Sequence, residues 1–212
     1  MRLFRAFFGK RKVAPASCRL LPGQWLLLPL GNPGEEYACT RHNLGRLMVQ
    51  RWMDSNCSGA VQIIHSFYYG AVYSLADSMM ALVPSTYMNL SGRAVSEAVA
   101  GGLPKEQMLV IYDDKDLPLG TGRLSKNGGS GGHNGLQSVI DSLDGDAILR
   151  LRLGLGPFQR PLRDWVLEEW TPHEWELIEK MDAPFANFLS KLAENPPIAD
   201  LQSRVNAPGF WN

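Results

Sequence analysis

The hydrophobic positions of this chain change period along its length, and the changes mark strands and helices in alternation. Residues 24–30 form a short apolar run closed by Gly31-Asn32-Pro33-Gly34, which predicts a buried strand that ends in a turn. Leu44, Leu47, Met48, Trp52 and Met53 then recur at helical spacing, so residues 44–54 should form an amphipathic helix with Asn43 as its cap. Residues 67–75 and 79–83 are rich in aromatic and branched side chains and are separated by Ala76-Asp77-Ser78, the pattern of a hairpin. A helix over 91–100 should turn Val95, Ala98 and Val99 inward. The apolar run 108–112 is the next buried strand, and it delivers Asp113 and Asp114 at its carboxyl end.

Residues 122–126 suggest a further strand, and 136–143 a helix that continues from Asn134-Gly135. Residues 148–155 alternate Arg150 and Arg152 with leucines, the period of a half-buried strand. Thr171, Pro172 and Glu174 spell a capping box with proline at the first helical position, which starts the last helix. Beyond Asn195-Pro196-Pro197 a loose tail is expected. Strands alternating with helices, plus one hairpin, predict an α/β fold: a single-domain three-layer sandwich with a mixed twisted sheet flanked by helices. The expected organisation is a basic N-terminal arm at 1–23, an α/β domain at 24–195 and a C-terminal tail at 196–212. In such folds sites gather at the carboxyl ends of strands, and Asn32, His42 and Asp113 all follow predicted strands.

Composition narrows the class. The chain has 212 residues, 45% of them hydrophobic, enough for one substantial core. No apolar run approaches the roughly 18–20 residues of a membrane span. Three cysteines (Cys18, Cys39, Cys57) in no C-x-x-C pair point to a reducing compartment, and the four histidines show no metal-ligand spacing, so no metal or other cofactor is expected. Net charge is zero, yet six of the 21 basic residues lie in the first 24 positions, which contain no acid; the rest has 15 basic residues against 21 acidic. That basic arm is compatible with an organellar transit segment, an RNA-contacting arm or a disordered tail. A cytoplasmic protein is expected, or an organellar one if the arm is a transit segment.

Four polar blocks interrupt the apolar pattern: Gly31–Gly34 running on to Thr40-Arg41-His42-Asn43, then Thr86–Asn89, Asp113–Asp116, and Gly128–Gly135. His42 can take a proton from water near neutral pH, since an imidazole titrates at about 6.5. Asp113 is its expected partner, a carboxylate that fixes the tautomer and stabilises the imidazolium. Asp114 and Asp116 are read as turn residues, and the three acids lack the further ligands of a cation site. Asn32, Asn89 and Asn134 are amides that can donate to an oxyanion and accept from a peptide N–H. The glycine run 128–132 lacks the Gly-Lys-Ser/Thr of a phosphate loop and suits a lid or a close approach to a ligand. Arg123, Lys126, Arg150 and Arg152 are candidates to meet phosphates.

In order and spacing, these blocks resemble the bacterial-type peptidyl-tRNA hydrolase family, which carries G-N-P-G, R-H-N, T-[FY]-M-N-x-S-G, D-[DE]-x-D-x-P and G-G-x-x-G-H-N-G. The likeness covers roughly residues 25–195. It implies metal-independent hydrolysis of the ester of peptidyl-tRNA, releasing tRNA and peptide for reuse. His42, Asp113 and Asn32 would be catalytic. Asn89 and Asn134 would bind peptide backbone, Tyr37 and Met88 would line the cleft around the terminal adenosine and aminoacyl group, and Arg152 would meet tRNA. The implied partner is peptidyl-tRNA, with no DNA and no membrane, and the implied state is a monomer. A catalytically dispensable RNA-binding splicing relative on the same fold is the alternative.

Three positions depart from the family pattern: Pro29 before L-G-N-P-G, Ser125 where a basic residue is usual, and Val83-Pro84-Ser85 where a lysine often precedes the threonine. Proline suits an edge strand better than a central one. Lys126 should not replace the missing basic residue at 125, because strand side chains alternate faces. These departures suggest that the basic arm supplements the phosphate contacts of the body. Deletion of residues 1–22 with no change in tRNA affinity or in its salt dependence would refute that.

Overall fold

The computed structural model describes residues 23–57, 61–76, 79–158 and 161–211, so the arm and most of the 76–78 turn lie outside the described residues. Seven strands form one sheet: β1 (Trp25–Pro29), β2 (Gln62–Ser66), β3 (Gly70–Ala76), β4 (Met79–Pro84), β5 (Met108–Pro118), β6 (Gly122–Lys126) and β7 (Leu149–Gly156), in the order β2-β3-β4-β1-β5-β7-β6. β1 runs parallel to β4 and β5, and β5 parallel to β7, while β2/β3, β3/β4 and β6/β7 are antiparallel. The helices are α1 (Leu44–Asn56), α2 (Ser91–Ala100), α3 (Asn134–Ser142), α4 (Leu162–Trp165), α5 (Pro172–Lys180), α6 (Asp182–Ala193) and α7 (Ile198–Val205). Among the described residues no helix is long and apolar enough to cross a membrane.

The sheet is covered on both faces, which is why β1 reads as a continuous apolar run rather than an alternation. Leu27, Leu109 and Ile111 point into a core shared with α1, α5, α6 and α7. Leu26, Leu28 and Val110 point the other way, against α2 and α3. Leu26, Leu27 and Leu28 have no exposed surface, and burial of each stabilises the fold by at most about 1.5–3 kcal/mol.

Pro29 does end a central strand, and the geometry shows how. The Leu30 N–H donates to the Ile111 carbonyl on the β5 side, so the nitrogen of Pro29 faces β4, where the β1–β4 ladder has already stopped at Leu27↔Ala81. No ladder donor is lost.

Two elements differ from expectation. β2 is an additional edge strand, too polar and half-exposed to show in the hydrophobic pattern. The expected loose tail instead contains α7, whose Leu201 and Val205 are buried. Trp211 follows at 7% exposure; its Nε1–H donates to the Val205 carbonyl at 3.0 Å, and its ring lies where a Cβ on Gly122 would stand. Asn206 pairs with the backbone of Leu124 through both amide atoms at 2.8 Å, finishing the free edge of β6. An exposed edge strand is an aggregation hazard, and this segment removes it. The capping box at Thr171 and Glu174 is present as expected.

Candidate active site

Asn32 leaves the end of β1, and its surroundings hold it from three directions. Its N–H donates to Asn43 Oδ1 at 2.8 Å, and its carbonyl accepts from Asn43 Nδ2 at 3.0 Å. Asn43 therefore does not cap α1; its side chain is spent on Asn32. The Asn32 Oδ1 accepts from the Met88 N–H at 2.8 Å, which leaves Nδ2, a donor, as the uncommitted edge of the amide. Gly31 is glycine because a Cβ there would lie within about 3.1 Å of the Asn43 and Arg46 side chains.

His42 sits in the 3-10 turn Arg41–Asn43, just before α1. This turn is fastened to the segment after α4: Arg41 N–H donates to Glu168 O and His42 N–H to Val166 O, at 3.1 and 2.7 Å. The Arg41 guanidinium lies 4.9 and 5.4 Å from the rings of Trp165 and Trp170 and makes a bidentate pair with Glu174 at 2.7 and 2.9 Å. Glu174 also closes the capping box of α5, so one carboxylate joins a helix start to the turn that carries His42.

The Nδ1–H of His42 reaches both Asp113 oxygens, at 3.0 and 3.1 Å. Asp113 is buried within β5, which runs on to Pro118 instead of ending at Tyr112 as the apolar pattern implied. A second imidazole completes the cluster: His133 Nε2–H donates to Asp113 Oδ1 at 3.1 Å. Its Nδ1 accepts from the Leu136 N–H at 3.0 Å, which fixes the tautomer and caps α3. Burial alone would raise the Asp113 carboxyl, but the two imidazoles hold it far below the usual carboxylate range. Burial likewise opposes a charged His42, yet attraction to Asp113 and the hydrogen bond to it outweigh burial and leave the imidazole above its ordinary value of 6.5. With Nδ1 committed to Asp113, His42 Nε2 is left to act as base.

His133 was not singled out in the sequence, although it stands in the glycine block beside Asn134. Twenty residues separate it from Asp113, and only the packing of α3 against the sheet brings them together. The ligand atoms of His42, Asp113 and His133 lie within 4.8 Å of one another, close enough to hold a metal ion after some rearrangement. Two shared protons already account for their contacts.

The cluster opens into a groove of about 430 Å³, walled by the glycine run 128–132, Asn134, Arg152 and Leu162. Asn134 lines it and is exposed; Asn89 is also exposed, but neither it nor Asn32 is among the residues that line the groove. Tyr37 is half-buried, edge-on to the exposed Tyr87 ring at 6.3 Å. Met88 is buried among core residues, its sulfur where a Cβ on Gly135 would stand. Arg152 borders the groove and pairs through Nε with Asp114, so Asp114 is more than a turn residue. Arg150 does not face solvent as the phosphate reading required. It is 2% exposed and bonds the carbonyls of Gly129 and Asp146, anchoring the glycine run from beneath. Arg123 and Lys126 are exposed, and Arg123 lies opposite Arg152 in the β6–β7 register, whereas Lys126 alternates to the other face.

A carboxylate-backed imidazole lining a groove has the chemistry to activate water as a general base, the equipment of a hydrolase. The sequence profile of the family described as peptidyl-tRNA hydrolase matches residues 26–210, and the chain belongs to that family. The peptidyl-tRNA hydrolase of Fervidobacterium nodosum is 36% identical over 80% of this chain and 89% of its own. That of Carboxydothermus hydrogenoformans is 40% identical over 73% and 84%. The crystal structure of the Acinetobacter baumannii peptidyl-tRNA hydrolase superposes with a TM-score of 0.76 at 28% identity, covering 87% of this chain and 95% of that one.

Proposed function

We propose that the protein frees tRNA from stalled peptides by using His42 as the general base in hydrolysis of the ester of peptidyl-tRNA. Water held by His42 Nε2 attacks the ester carbonyl and gives its proton to the imidazole, and Asp113 stabilises the imidazolium that forms. Asn32 Nδ2 donates to the oxyanion of the tetrahedral intermediate. Collapse expels the ribose hydroxyl, which takes the proton back from His42, and peptide and tRNA leave. Asn89 and Asn134 bind the peptide backbone, which makes cleavage indifferent to side chains. Tyr37 and Met88 border the site of the terminal nucleotide and aminoacyl group, and Arg152 meets phosphate.

The observation that carries this reading is the commitment of His42 Nδ1 to Asp113, which leaves Nε2 as the basic nitrogen. The test is release of peptide from an N-blocked aminoacyl-tRNA, with free aminoacyl-tRNA as control. Rapid cleavage of the blocked substrate alone is expected. A folded protein that binds tRNA without turning it over would overturn the reading.

A further inference from the structure

Arg46 occupies the first turn of α1, where two physical preferences oppose it. A helix N-terminus carries partial positive charge and disfavours a cation. A buried guanidinium with no counter-ion is also costly. Arg46 is 5% exposed, and among the described residues no carboxylate pairs with it. Its partners are two backbone carbonyls, Asn32 O at 3.2 Å and Pro84 O at 2.8 Å, and its Nε is unpartnered. The titratable group that faces it is the phenol of Tyr73 on β3. Burial lowers the Arg46 pKa to about 10, so the charge persists at neutral pH.

Pro84 ends β4, which leads into the segment carrying Met88, and Asn32 lies three residues beyond the end of β1. The cation thus grips the backbone of the residue whose side-chain Oδ1 is committed to Met88 and whose Nδ2 is uncommitted. Arg41 shows the contrast: its guanidinium bonds the Glu169 carbonyl, and its charge is met by Glu174, whereas Arg150, like Arg46, bonds carbonyls but lies beneath the glycine run. The positive field of Arg46 and that of the α1 N-terminus add at Asn32, with little water between to screen them.

We propose that Arg46 is a positioning residue that acts through Asn32: its buried, uncompensated charge holds the amide in place and favours the negative charge of the tetrahedral intermediate. This rests on Asn32 facing the oxyanion. The negative charge exists only after attack, so the effect belongs in kcat and leaves KM unchanged.

The experiment compares Arg46→Lys with Arg46→Gln on N-acetyl-aminoacyl-tRNA, both checked for folding by thermal melting. Glutamine keeps hydrogen-bond donors without charge, and lysine keeps the charge with fewer bonds. At pH 6.5 the Gln variant is expected to lose about 10–30-fold in kcat with KM unchanged, and the Lys variant less than about threefold. A lysine buried there would titrate well below its ordinary value near 10.4, so the kcat of the Lys variant as a fraction of wild type at the same pH should fall as pH rises into the alkaline range. Equal losses in both variants at every pH, or no loss in either, would overturn the proposal. If the Gln variant does not fold, the pH-dependent fading in the Lys variant decides, since a purely structural role predicts a flat ratio to wild type. Loss of the whole function reading would instead show as an inactive wild type.

Discussion

The floor of the site and its margin are built on opposite plans. On the floor, Asp113 accepts hydrogen bonds from two imidazoles and His133 is tied at both nitrogens; Asn32, beyond the end of β1, is held at N–H, carbonyl and Oδ1. Asn134 at the margin and Asn89 outside the groove lining are exposed, and among the described residues neither amide side chain has a hydrogen-bond partner. The glycine run beside Asn134 adopts positive φ at Gly128, Gly131 and Gly132, with nothing within 4 Å of where a Cβ would stand. On the proposed reading, the groups that would act in the reaction are fixed in advance, where preorganisation costs nothing during catalysis. The groups proposed to hold the peptide are left with unspent donors and acceptors for the substrate to fill.

Substitutions can break this division or sharpen it. The largest effect is expected from His42→Ala, which should lower kcat by about a thousandfold or more while tRNA affinity persists, because among the described residues lining the groove no other imidazole has a free nitrogen. Single-turnover kinetics beside tRNA binding would check this, and comparable activity in the folded variant would remove His42 from its role.

Asp113→Asn comes next, with a loss of about a hundredfold to a thousandfold in kcat. The sign of its pH effect is fixed by the two opposing influences on His42. In wild type the raised imidazole puts the acid limb of kcat/KM above 6.5. With the carboxylate gone only burial remains, so the limb should move to lower pH as the maximum falls. The depressed Asp113 carboxyl also contributes stability that is present above about pH 4 and lost as pH falls through its folded value. Wild type should therefore lose stability on acidification more steeply than the Asn variant, as measured by denaturant melts across pH.

His133→Ala should cost about tenfold in kcat, since Asp113 keeps His42 but loses its second donor. A loss in KM alone would move His133 from the floor to the margin. Asn134→Ala is the smallest case: KM should rise by about fivefold with kcat nearly constant, and stability should change by less than about 0.5 kcal/mol because the side chain is exposed. A large drop in melting temperature would show that the margin is structural after all.

Much of this was legible in the chain before folding. The apolar run 25–30, the alternation at 148–155 and the capping box at Thr171 each depend on neighbours in sequence, and each appears where the pattern put it. The polar blocks made His42, Asp113 and Asn32 candidates because a core has no packing reason to place such residues there, and the structure brings His42 and Asp113 into contact. Misread residues share one property, a partner that is remote in sequence. Asn43 looks like a cap until Asn32 is placed beside it. Arg150 looks like a surface cation until the glycine run lies over it. The segment 198–211 looks loose because its stabilising contacts, Gly122 and Leu124, are more than seventy residues away.

The sequence by itself therefore determined the elements, their order and the residue types available for chemistry, because periodicity and local turn chemistry act over a few residues. Only the tertiary structure decided which nitrogen of His42 is free, that His133 shares its carboxylate, and that an unpaired Arg46 stands behind Asn32. Those outcomes depend on distances of about 3 Å between groups from different strands and helices, and no local pattern encodes such distances.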